Sequence, residues 1–324
     1  MKKVLGALGC LVLVLCSVPV LADPYPSKVI TIIVPYAAGG PTDTVARLLS
    51  KAMSPILKTQ IIVENVVGAG GTIAAAKAAS SAPDGYTLFL HHIGLSTAPS
   101  LYRKLPFDPQ RDLDPIGQVG DVAMTLVARK DFPAKDLKEL IAYVKANKDK
   151  VNLANAGLGA ASHLCGMLFM SAIQTEFTTI PYNGTGPAMN DLLGGQVDFM
   201  CDQTTNTTSH IKAGKIKVYG VTTKKRIASM PEVPTMQEGG LPGFEVAVWN
   251  GLYAPKSTPK AIIDRLSNAL QQALTDAELI KRFGELGTEP ASKDRATPES
   301  LRIQLKSEIE KWGPIIKKAG VYAD

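Results

Sequence analysis

Residues 29–53 read VITIIVPYAAGGPTDTVARLLSKAM, and they contain the clearest signal of fold class in the chain. The β-branched run Val29–Val34 predicts a buried strand, and the apolar spacing from Asp43 to Met53 predicts an amphipathic helix. Two glycines and a proline lie between them, as is typical of a tight turn. A strand, a turn and a helix in this order predict the first unit of a parallel or mixed α/β sheet.

The same alternation continues along the chain. Strands are predicted at 61–63, 86–90, 151–153, 178–181, 197–201 and 216–221, and helices at 71–79, 137–144, 162–173 and 188–193. Two extended apolar segments, 122–128 and 244–253, interrupt the pattern, and long helical runs at 261–273 and 298–318 follow the second. The helical tail most simply returns to the first lobe, so the chain would cross between two lobes twice.

We therefore expect one lobe from residues 23–121 plus 254–324, a second from 129–243, and hinge strands at 122–128 and 244–253. Each lobe would be a mixed sheet with helices on both faces. Two sequential domains with a helical appendage are the alternative that this pattern leaves open.

The composition excludes several protein classes. The 324 residues are 45% hydrophobic and 20% charged, which is typical of a globular protein and excludes disorder, collagen and coiled coil. The formal charge of +6 is not concentrated in any block of like charges, so nucleic acid is not an expected partner. A small anionic ligand remains compatible with this mild basicity.

The first 22 residues predict export. Lys2 and Lys3 precede the apolar stretch 4–18, and Val20-Leu21-Ala22 places small residues at the usual cleavage positions. This pattern predicts a signal peptide cut after Ala22 and a periplasmic mature chain, with a membrane anchor as the alternative. Cys165 and Cys201 remain after cleavage and form either one disulfide or two buried thiols. We expect buried thiols, because each cysteine lies in an apolar run.

The loop 35–43 (PYAAGGPTD) is the first candidate for ligand binding. Glycines allow a ligand to approach the backbone, and Thr42 or Asp43 is expected to cap a helix whose N-terminus suits an anion. Neither a Walker loop nor a dinucleotide fingerprint is present, and a simple glycine turn with an N-cap is the alternative. The candidate contacts in this loop are Tyr36, Ala37, Ala38, Gly39, Thr42 and Asp43.

The second half of the chain repeats this arrangement. Residues 155–163 (NAGLGAASH) lead from a short strand into a helix, which Ser162 is expected to cap while donating its hydroxyl to a carboxylate. Further candidates follow later strands, namely Tyr182, Asn183, Gly184 and Asp202. Two helix starts that suit anions, one on each lobe, predict a ligand with acid groups at both ends.

The histidines do not predict a metal or catalytic site. His91 and His92 are adjacent on an extended segment, so their side chains should point in opposite directions and not chelate one ion. His163 lies beside Ser162 and near Cys165, but neighbouring helical residues diverge and no nucleophile elbow is present. We expect no catalytic residue, metal or cofactor. His92 is either a hydrogen-bond partner of the ligand or a buried structural histidine.

Several motifs together resemble one family, the substrate-binding proteins of tripartite tricarboxylate transporters, also called the Bordetella uptake gene (Bug) family. The resemblance extends over essentially the whole chain after the leader. It rests on the loop 35–43 and on residues 82–88 (APDGYTL), 101–108 (LYRKLPFD), 161–164 (ASHL), 181–184 (PYNG), 191–198 (DLLGGQVD), 231–235 (PEVPT) and 239–243 (GGLPG).

This resemblance implies a two-lobe periplasmic binding protein (type II-like), acting as a monomer, that closes on a carboxylate and delivers it to a two-component inner-membrane permease. The family's ligand contacts, some of them through water, match Tyr36, Ala37, Gly39 and Asp43 on the first lobe. On the second lobe they match Gly159, Ser162, His163, Tyr182, Asn183 and Asp202.

The ligand itself is less closely defined by the sequence. After the third strand, where many members of the family that this chain resembles carry small polar residues, this chain has His91-His92. Imidazole rings can stack on a flat ligand. We therefore expect an aromatic dicarboxylate such as terephthalate. A C4 to C6 aliphatic diacid fits equally well if both histidines face away from the cleft, and citrate is a further alternative. A secreted enzyme and a structural or adhesin-like protein are the rival functions.

Overall fold

The computed structural model describes residues 25–323, so the predicted signal peptide (1–22) lies outside the described residues. The strands are β1 (Ile30–Val34), β2 (Ile61–Asn65), β3 (Thr87–His92), β4 (Leu113–Arg129), β5 (Asn152–Asn155), β6 (Thr178–Pro181), β7 (Phe199–Gln203), β8 (Ile216–Val221), β9 (Ala247–Pro255) and β10 (Thr288–Pro290). The helices are α1 (Pro41–Leu57), α2 (Thr72–Ala79), α3 (Gly94–Leu101), α4 (Leu137–Ala146), α5 (Ala161–Ile173), α6 (Thr185–Leu193), α7 (Thr204–Lys212), α8 (Lys260–Ala273), α9 (Ala277–Glu285) and α10 (Pro298–Ala319).

The strands of residues 25–323 form a mixed sheet in the order β2-β1-β3-β9-β4-β7-β5-β6, with β8 and β10 also paired to β4. β1 runs parallel to β2 and β3, and β5 runs parallel to β6 and β7. β4 and β9 run antiparallel to their neighbours. The predicted α/β class, with mixed sheet and helices, is confirmed.

β4 connects the two sections of this sheet. Its residues 113–123 pair with β9, and its residues 124–128 pair with β7. We call β2-β1-β3-β9 with β10 and the first part of β4 the first sheet section, and β6-β5-β7 with β8 and the last part of β4 the second. The chain returns to the first section at β9. Immediately before β9, the Val246 N–H donates to the Thr222 carbonyl of the second section (3.1 Å). The segments predicted as hinges thus lie in β4 and around β9.

The C-terminal helices pack on the first section. α8 packs against α1, and α10 packs against α3 and β4. The α10 side chains Leu301, Leu305 and Ile316 are buried, and each such burial stabilises the fold by roughly 1.5–3 kcal/mol. The Trp312 indole N–H also donates to Glu308 Oε2 (2.9 Å) in the same helix. The tail therefore completes the core of the first section.

The expectation of two free thiols is wrong, because Cys165 and Cys201 form a disulfide with a Cα–Cα distance of 6.0 Å. Both residues are buried, as their apolar neighbours predicted. α5 packs directly against β7, so the two side chains meet although 36 residues separate them in sequence. Sequence spacing alone does not show this contact. The bond fixes the helix that carries Ser162 to the strand that carries Asp202.

Candidate functional site

A small enclosed cavity lies where the carboxyl ends of β3, β5 and β7 meet the start of α1. Its free volume is about 10 Å³, which is room for about one water molecule. The lining residues are Tyr36, Pro41, Thr42, His92, Ala156, Ala161, Ser162, Thr185, Asp202 and Gln203. Both sheet sections contribute, and the carboxyl ends of strands are where α/β proteins bind ligands.

Four helices of the described chain begin at this cavity. Their first residues are Pro41, Ala161, Thr185 and Thr204, and each of the first three lines the cavity itself. In none of these four helices does the N-cap side chain accept a hydrogen bond from the first turn. Free N–H groups and positive dipole ends therefore surround the cavity, although no lysine or arginine of the described residues lines it. This arrangement favours an anion.

The predicted caps are wrong at both helix starts. Gly40 is the N-cap of α1, with Pro41 at the first helical position, and Ala160 is the N-cap of α5. Thr42 and Ser162 lie inside their helices, one position after the first residue. Because no side chain closes these two helix ends, they suit a ligand better than capped ends would.

Asp43 shapes the glycine loop and does not line the cavity. Its Oδ2 accepts from the Gly39 N–H (2.9 Å) and from Arg47 Nε (2.9 Å), and its Oδ1 accepts from Asn65 Nδ2 (3.0 Å). Burial would raise the pKa of this carboxyl, but the hydrogen bonds from Arg47, Gly39 and Asn65 outweigh burial and lower it. Asn65 Nδ2 also donates to the Tyr36 carbonyl (2.8 Å). Asp43 therefore holds the loop in shape from behind.

Tyr36, His91 and His92 form an aromatic wall. The Tyr36 ring stacks on the His92 ring, with centroids 5.0 Å apart and planes at 15°. The Tyr36 hydroxyl donates to the Gly70 carbonyl (3.0 Å), which fixes the ring. His92 lines the cavity, whereas His91 does not.

The expectation that His91 and His92 point in opposite directions is wrong, because their ring centroids are 4.9 Å apart. β3 ends at His92, and Ile93 already has helical dihedral angles, so the pleat does not continue. Burial lowers the pKa of His91 well below its usual value and that of His92 to about 3. Each Nδ1 accepts a backbone N–H, from His92 and Gly94 respectively, so both rings are neutral and each keeps an Nε2–H donor.

Asp202 and Gln203 end β7 and line the cavity. Asp202 is fully buried and accepts hydrogen bonds from the Gln203 N–H (2.8 Å), Asn206 Nδ2 (2.6 Å) and the Thr185 hydroxyl. Burial raises the pKa of this carboxyl to about 7, although the three hydrogen bonds oppose the rise. Gln203 is 5% exposed, and its buried Oε1 has no hydrogen-bond partner in the described residues.

Ser162 and His163 occupy the first turn of α5. Ser162 lines the cavity, and its Oγ accepts from the Ala156 N–H (2.8 Å), so its hydroxyl hydrogen can be donated to a ligand. His163 Nδ1 accepts from the Gly159 N–H (3.3 Å), and burial lowers the pKa of His163 to about 4. His163 does not line the cavity and instead supports the loop before it.

Several residues that the sequence predicts as ligand contacts instead join the two sheet sections around the cavity. The Ala37 N–H donates to the Asn183 carbonyl (2.9 Å), and Thr97 Oγ1 donates to the Gly159 carbonyl (3.1 Å). Gly184 has φ +137°, where a side chain would strain the backbone, and an added Cβ would lie 3.0 Å from the Ala37 nitrogen, so glycine favours this approach.

A tyrosine hydroxyl adds to this junction. Tyr102 donates to the carbonyls of Ala69 (2.6 Å) and Leu158 (3.1 Å), which lie on different sections. An added Cβ at Gly70 would lie 2.0 Å from the Leu158 oxygen. The two sections are therefore in close contact at the cavity rim.

Of the residues predicted from sequence, the structure places Tyr36, Thr42, His92, Ser162 and Asp202 on the cavity wall. Ala37, Gly159, Asn183 and Gly184 lie at the junction of the sections, and Ala38 and Gly39 are exposed on the loop. Tyr182 donates its hydroxyl to Asp191 Oδ2 (2.6 Å). Burial, and to a smaller extent Asp191, raise the pKa of Tyr182 to about 12.

The sequence prediction missed Gln203, and it placed Thr185 in a loop that could line the cleft without naming it as a contact. Gln203 follows Asp202 at the carboxyl end of a strand, and Thr185 starts a helix directly after Gly184. Either position could have been proposed from the strand-end and helix-start rules. Within residues 25–323 no group of three His, Cys, Asp or Glu side chains could hold a metal ion, and no helix is long and apolar enough to cross a membrane.

Comparison with known proteins gives one family. The pattern described as "Tripartite tricarboxylate transporter family receptor" matches residues 45–321. A solved periplasmic binding protein, BugD, is 51% identical with a TM-score of 0.90, and the match covers 93% of this chain and 100% of that chain.

Two further solved structures contain carboxylates. MatC from Rhodopseudomonas palustris with bound malate is 40% identical with a TM-score of 0.87, over 90% of this chain and 100% of that chain. An R. palustris protein with adipate is 30% identical with a TM-score of 0.87, over 92% of this chain and 99% of that chain.

Proposed function

The chain belongs to the receptor family of tripartite tricarboxylate transporters, and we propose that it captures a small aliphatic dicarboxylate between two lobes and delivers it to a two-component membrane permease. Proteins of this family are periplasmic solute-binding receptors and not enzymes. The observation that carries the proposal is the convergence of four uncapped helix N-termini on one enclosed cavity.

The chemistry of this cavity suits carboxylates. Backbone N–H groups of the helix ends and the Ser162 hydroxyl are donors, and His92 keeps its Nε2–H because its Nδ1 accepts a backbone N–H. Donors fixed by the backbone bind an anion without a lysine or arginine. One helix end comes from the first sheet section and three from the second, so a ligand with two acid groups can engage both.

The aromatic wall favours an aliphatic ligand. Terephthalate is favoured only if its flat ring stacks on a histidine ring, but Tyr36 already covers one face of the His92 ring. A C4 to C6 diacid needs no stacking partner. The solved relatives with malate and with adipate support the same choice.

Closure is the second part of the proposal. We assign residues 23–121 and 254–324 to one lobe and 129–243 to the other, with β4 and the segment 244–253 as hinges. The contacts of Ala37 with Asn183 and of Tyr102 with Leu158 would then belong to the closed state. Opening would break these few hydrogen bonds and expose the cavity, while each lobe keeps its own sheet section.

A carboxylate panel tests the proposed function. Isothermal titration of the purified protein with succinate, malate, adipate, citrate, terephthalate and benzoate should give saturable binding of at least one C4 to C6 diacid. Benzoate, with one acid group, should bind at least about 10-fold more weakly, because one anchor is lost. Mass spectrometry should recover the bound ligand unchanged. Absence of binding by every carboxylate, or recovery of an altered ligand, would contradict the proposal.

A further inference from the structure

The last residues of the described chain form a strap on the first lobe. α10 ends at Ala319, and Gly320, with φ +66°, turns the chain out of the helix. Residues 321–323, which we call the C-terminal strap, then lie alongside residues 101–103, where α3 ends. The end of the chain is therefore attached to the segment that leaves α3.

Backbone hydrogen bonds make this attachment. The Ala323 N–H donates to the Leu101 carbonyl (2.8 Å), and the Arg103 N–H donates to the Ala323 carbonyl (3.4 Å). These two bonds lie on either side of Tyr102, which is opposite Ala323 in a parallel β-bridge. The Arg103 guanidinium also lies 5.0 Å from the centroid of the Tyr322 ring, within the range of a cation–π contact. The strap therefore holds the backbone on both sides of Tyr102.

Tyr102 makes one of the contacts that join the two lobes. It is the first residue after α3 and has extended dihedral angles, φ −100° and ψ 114°. Its hydroxyl hydrogen is shared between the carbonyl of Ala69 on its own lobe (2.6 Å) and the carbonyl of Leu158 on the other lobe (3.1 Å). Burial raises the pKa of Tyr102 to about 12, so this hydroxyl remains a donor at neutral pH.

The contact with Leu158 depends on where the Tyr102 backbone lies. A hydrogen bond of 3.1 Å is already near the long end of the usual range, so a small displacement weakens it. The Tyr102 N–H donates to the Ala98 carbonyl (3.0 Å), which restrains the residue on the side of α3. The strap supplies the restraint on the other side.

We infer that the C-terminal strap positions Tyr102 for its contact with Leu158, so that the end of the chain helps to hold the lobes closed on a ligand. This inference rests on the closure in the proposed function and adds a region outside the ligand cavity, since neither Tyr102 nor the strap is among the residues that line it. Tyr102 is then a positioning residue, which acts through the contact between the lobes.

A chain that ends at Gly320 tests the inference. Without the strap, the tightest dicarboxylate of the panel should bind about 3- to 10-fold more weakly in isothermal titration, because the closed state loses the hydrogen bond to Leu158. A chain that ends at Ala323 is the matched control, because it lacks only Asp324 and should keep the unmodified affinity.

Ala323→Pro is a second variant that keeps the length of the chain. Proline has no N–H to donate to the Leu101 carbonyl, so binding should weaken in the same direction as in the shortened chain. Circular dichroism checks the fold of each variant.

Tyr102→Phe assigns the effect to the tyrosine hydroxyl. Alone, it should weaken binding by a factor similar to that of the shortened chain. In the Tyr102→Phe background, removal of the strap should change the affinity by less than about 2-fold, because the contact that the strap supports is already absent. A strap with a structural role alone would lower the urea midpoint in both backgrounds and leave the affinity unchanged.

The outcomes distinguish the strap from the proposed function. Unchanged affinity in the chain that ends at Gly320 and in Ala323→Pro, with the fold intact, would overturn the inference and leave the proposed function intact. Equal losses of affinity with and without the Tyr102 hydroxyl would also overturn it, since the strap would then act elsewhere. A protein that binds none of the carboxylates contradicts the proposed function, and the inference fails with it.

Discussion

At the scale of single residues, the Ser162 hydroxyl takes part in both the fold and the cavity. Its oxygen accepts the Ala156 N–H, and its hydrogen is available to a ligand. Ser162→Ala should therefore weaken dicarboxylate binding by about 1–3 kcal/mol, which is about 5- to 150-fold in Kd. Isothermal titration measures this change.

The matched control for Ser162 is Ser171→Ala, which alters an exposed serine of the same helix and should leave the affinity unchanged. Thermal unfolding of both variants separates binding from stability, since Ser162→Ala also leaves a backbone donor unpaired. Equal affinity of Ser162→Ala and the unmodified protein would remove Ser162 from the ligand contacts.

Buried histidines make stability depend on pH. The folded-state pKa is about 3 for His92 and about 4 for His163, and it is well below 6.5 for His91. Between pH 6.5 and about 4 the unfolded chain therefore binds more protons at these residues, so acidification destabilises the fold. Asp202 acts in the opposite direction, because its pKa is raised to about 7 and its folded state takes up the proton first.

We expect the free energy of unfolding to fall by up to about 3 kcal/mol per pH unit in this window. The three histidines destabilise the fold by about three protons and Asp202 stabilises it by about one, so the net effect is about two protons. Urea titrations between pH 7 and pH 4 measure the slope. His163→Gln should reduce it by about 1.4 kcal/mol per unit, and Asp202→Asn should make it steeper. Stability that stays constant or rises on acidification would contradict the neutral, buried state of these histidines.

At the scale of the elements, the disulfide fixes α5 to β7. The bond Cys165–Cys201 closes a loop of 36 residues, so chain-entropy arguments predict a stabilisation of about 4 kcal/mol. The double variant Cys165→Ala, Cys201→Ala should lose about 2–4 kcal/mol in urea denaturation. It should also bind ligand more weakly, because Ser162 and Asp202 lie on the two connected elements.

Reduction of the unmodified protein is the companion measurement, since dithiothreitol should lower its stability and leave the alanine variant unchanged. Identical unfolding midpoints with and without reductant would show that the bond contributes nothing in solution. The sequence could not predict this pair, because either pairing or burial is compatible with two cysteines in apolar runs.

The elements themselves were largely predictable. The strands 178–181 and 216–221 have the predicted bounds, and β1 and α1 differ from prediction by a few residues at their ends. These segments have strong apolar periodicity, which is the most reliable signal in a sequence. α7 was missed because residues 204–212 read TTNTTSHIK and contain no apolar period. Its packing on β4 and β7 stabilises it instead.

The candidate site was predictable only in part. Glycine loops at helix starts located Tyr36, Thr42 and Ser162, because such loops have a recognisable composition. The cap assignments failed because serine, threonine and aspartate give the same signal at the cap and one or two positions later. Gln203 carries no such signal, and its position depends on how two distant sheet sections meet.

At the scale of the whole molecule, the close contact at Gly70 allows the two sections to meet. Gly70 has φ +60°, and an added Cβ would lie 2.0 Å from the Leu158 oxygen. Gly70→Ala should therefore prevent closure and weaken ligand binding at least about 10-fold. Gly214→Ala is the matched control, because Gly214 has φ +63° and nothing within 4 Å of an added Cβ.

Both glycine variants should lose similar stability from the strained backbone, and only Gly70→Ala should lose affinity. Titration with the tightest dicarboxylate of the panel measures this difference. Gly70→Ala with unmodified affinity would mean that ligand binding does not require the contact between the sections.

Small-angle X-ray scattering tests most directly whether the two lobes close on a carboxylate at the four helix ends. The radius of gyration of the unmodified protein should decrease when the tightest dicarboxylate of the panel is added to saturation, because the ligand stabilises the closed state. Gly70→Ala at the same ligand concentration should keep the larger radius. A radius of the unmodified protein that is identical with and without saturating ligand would contradict closure.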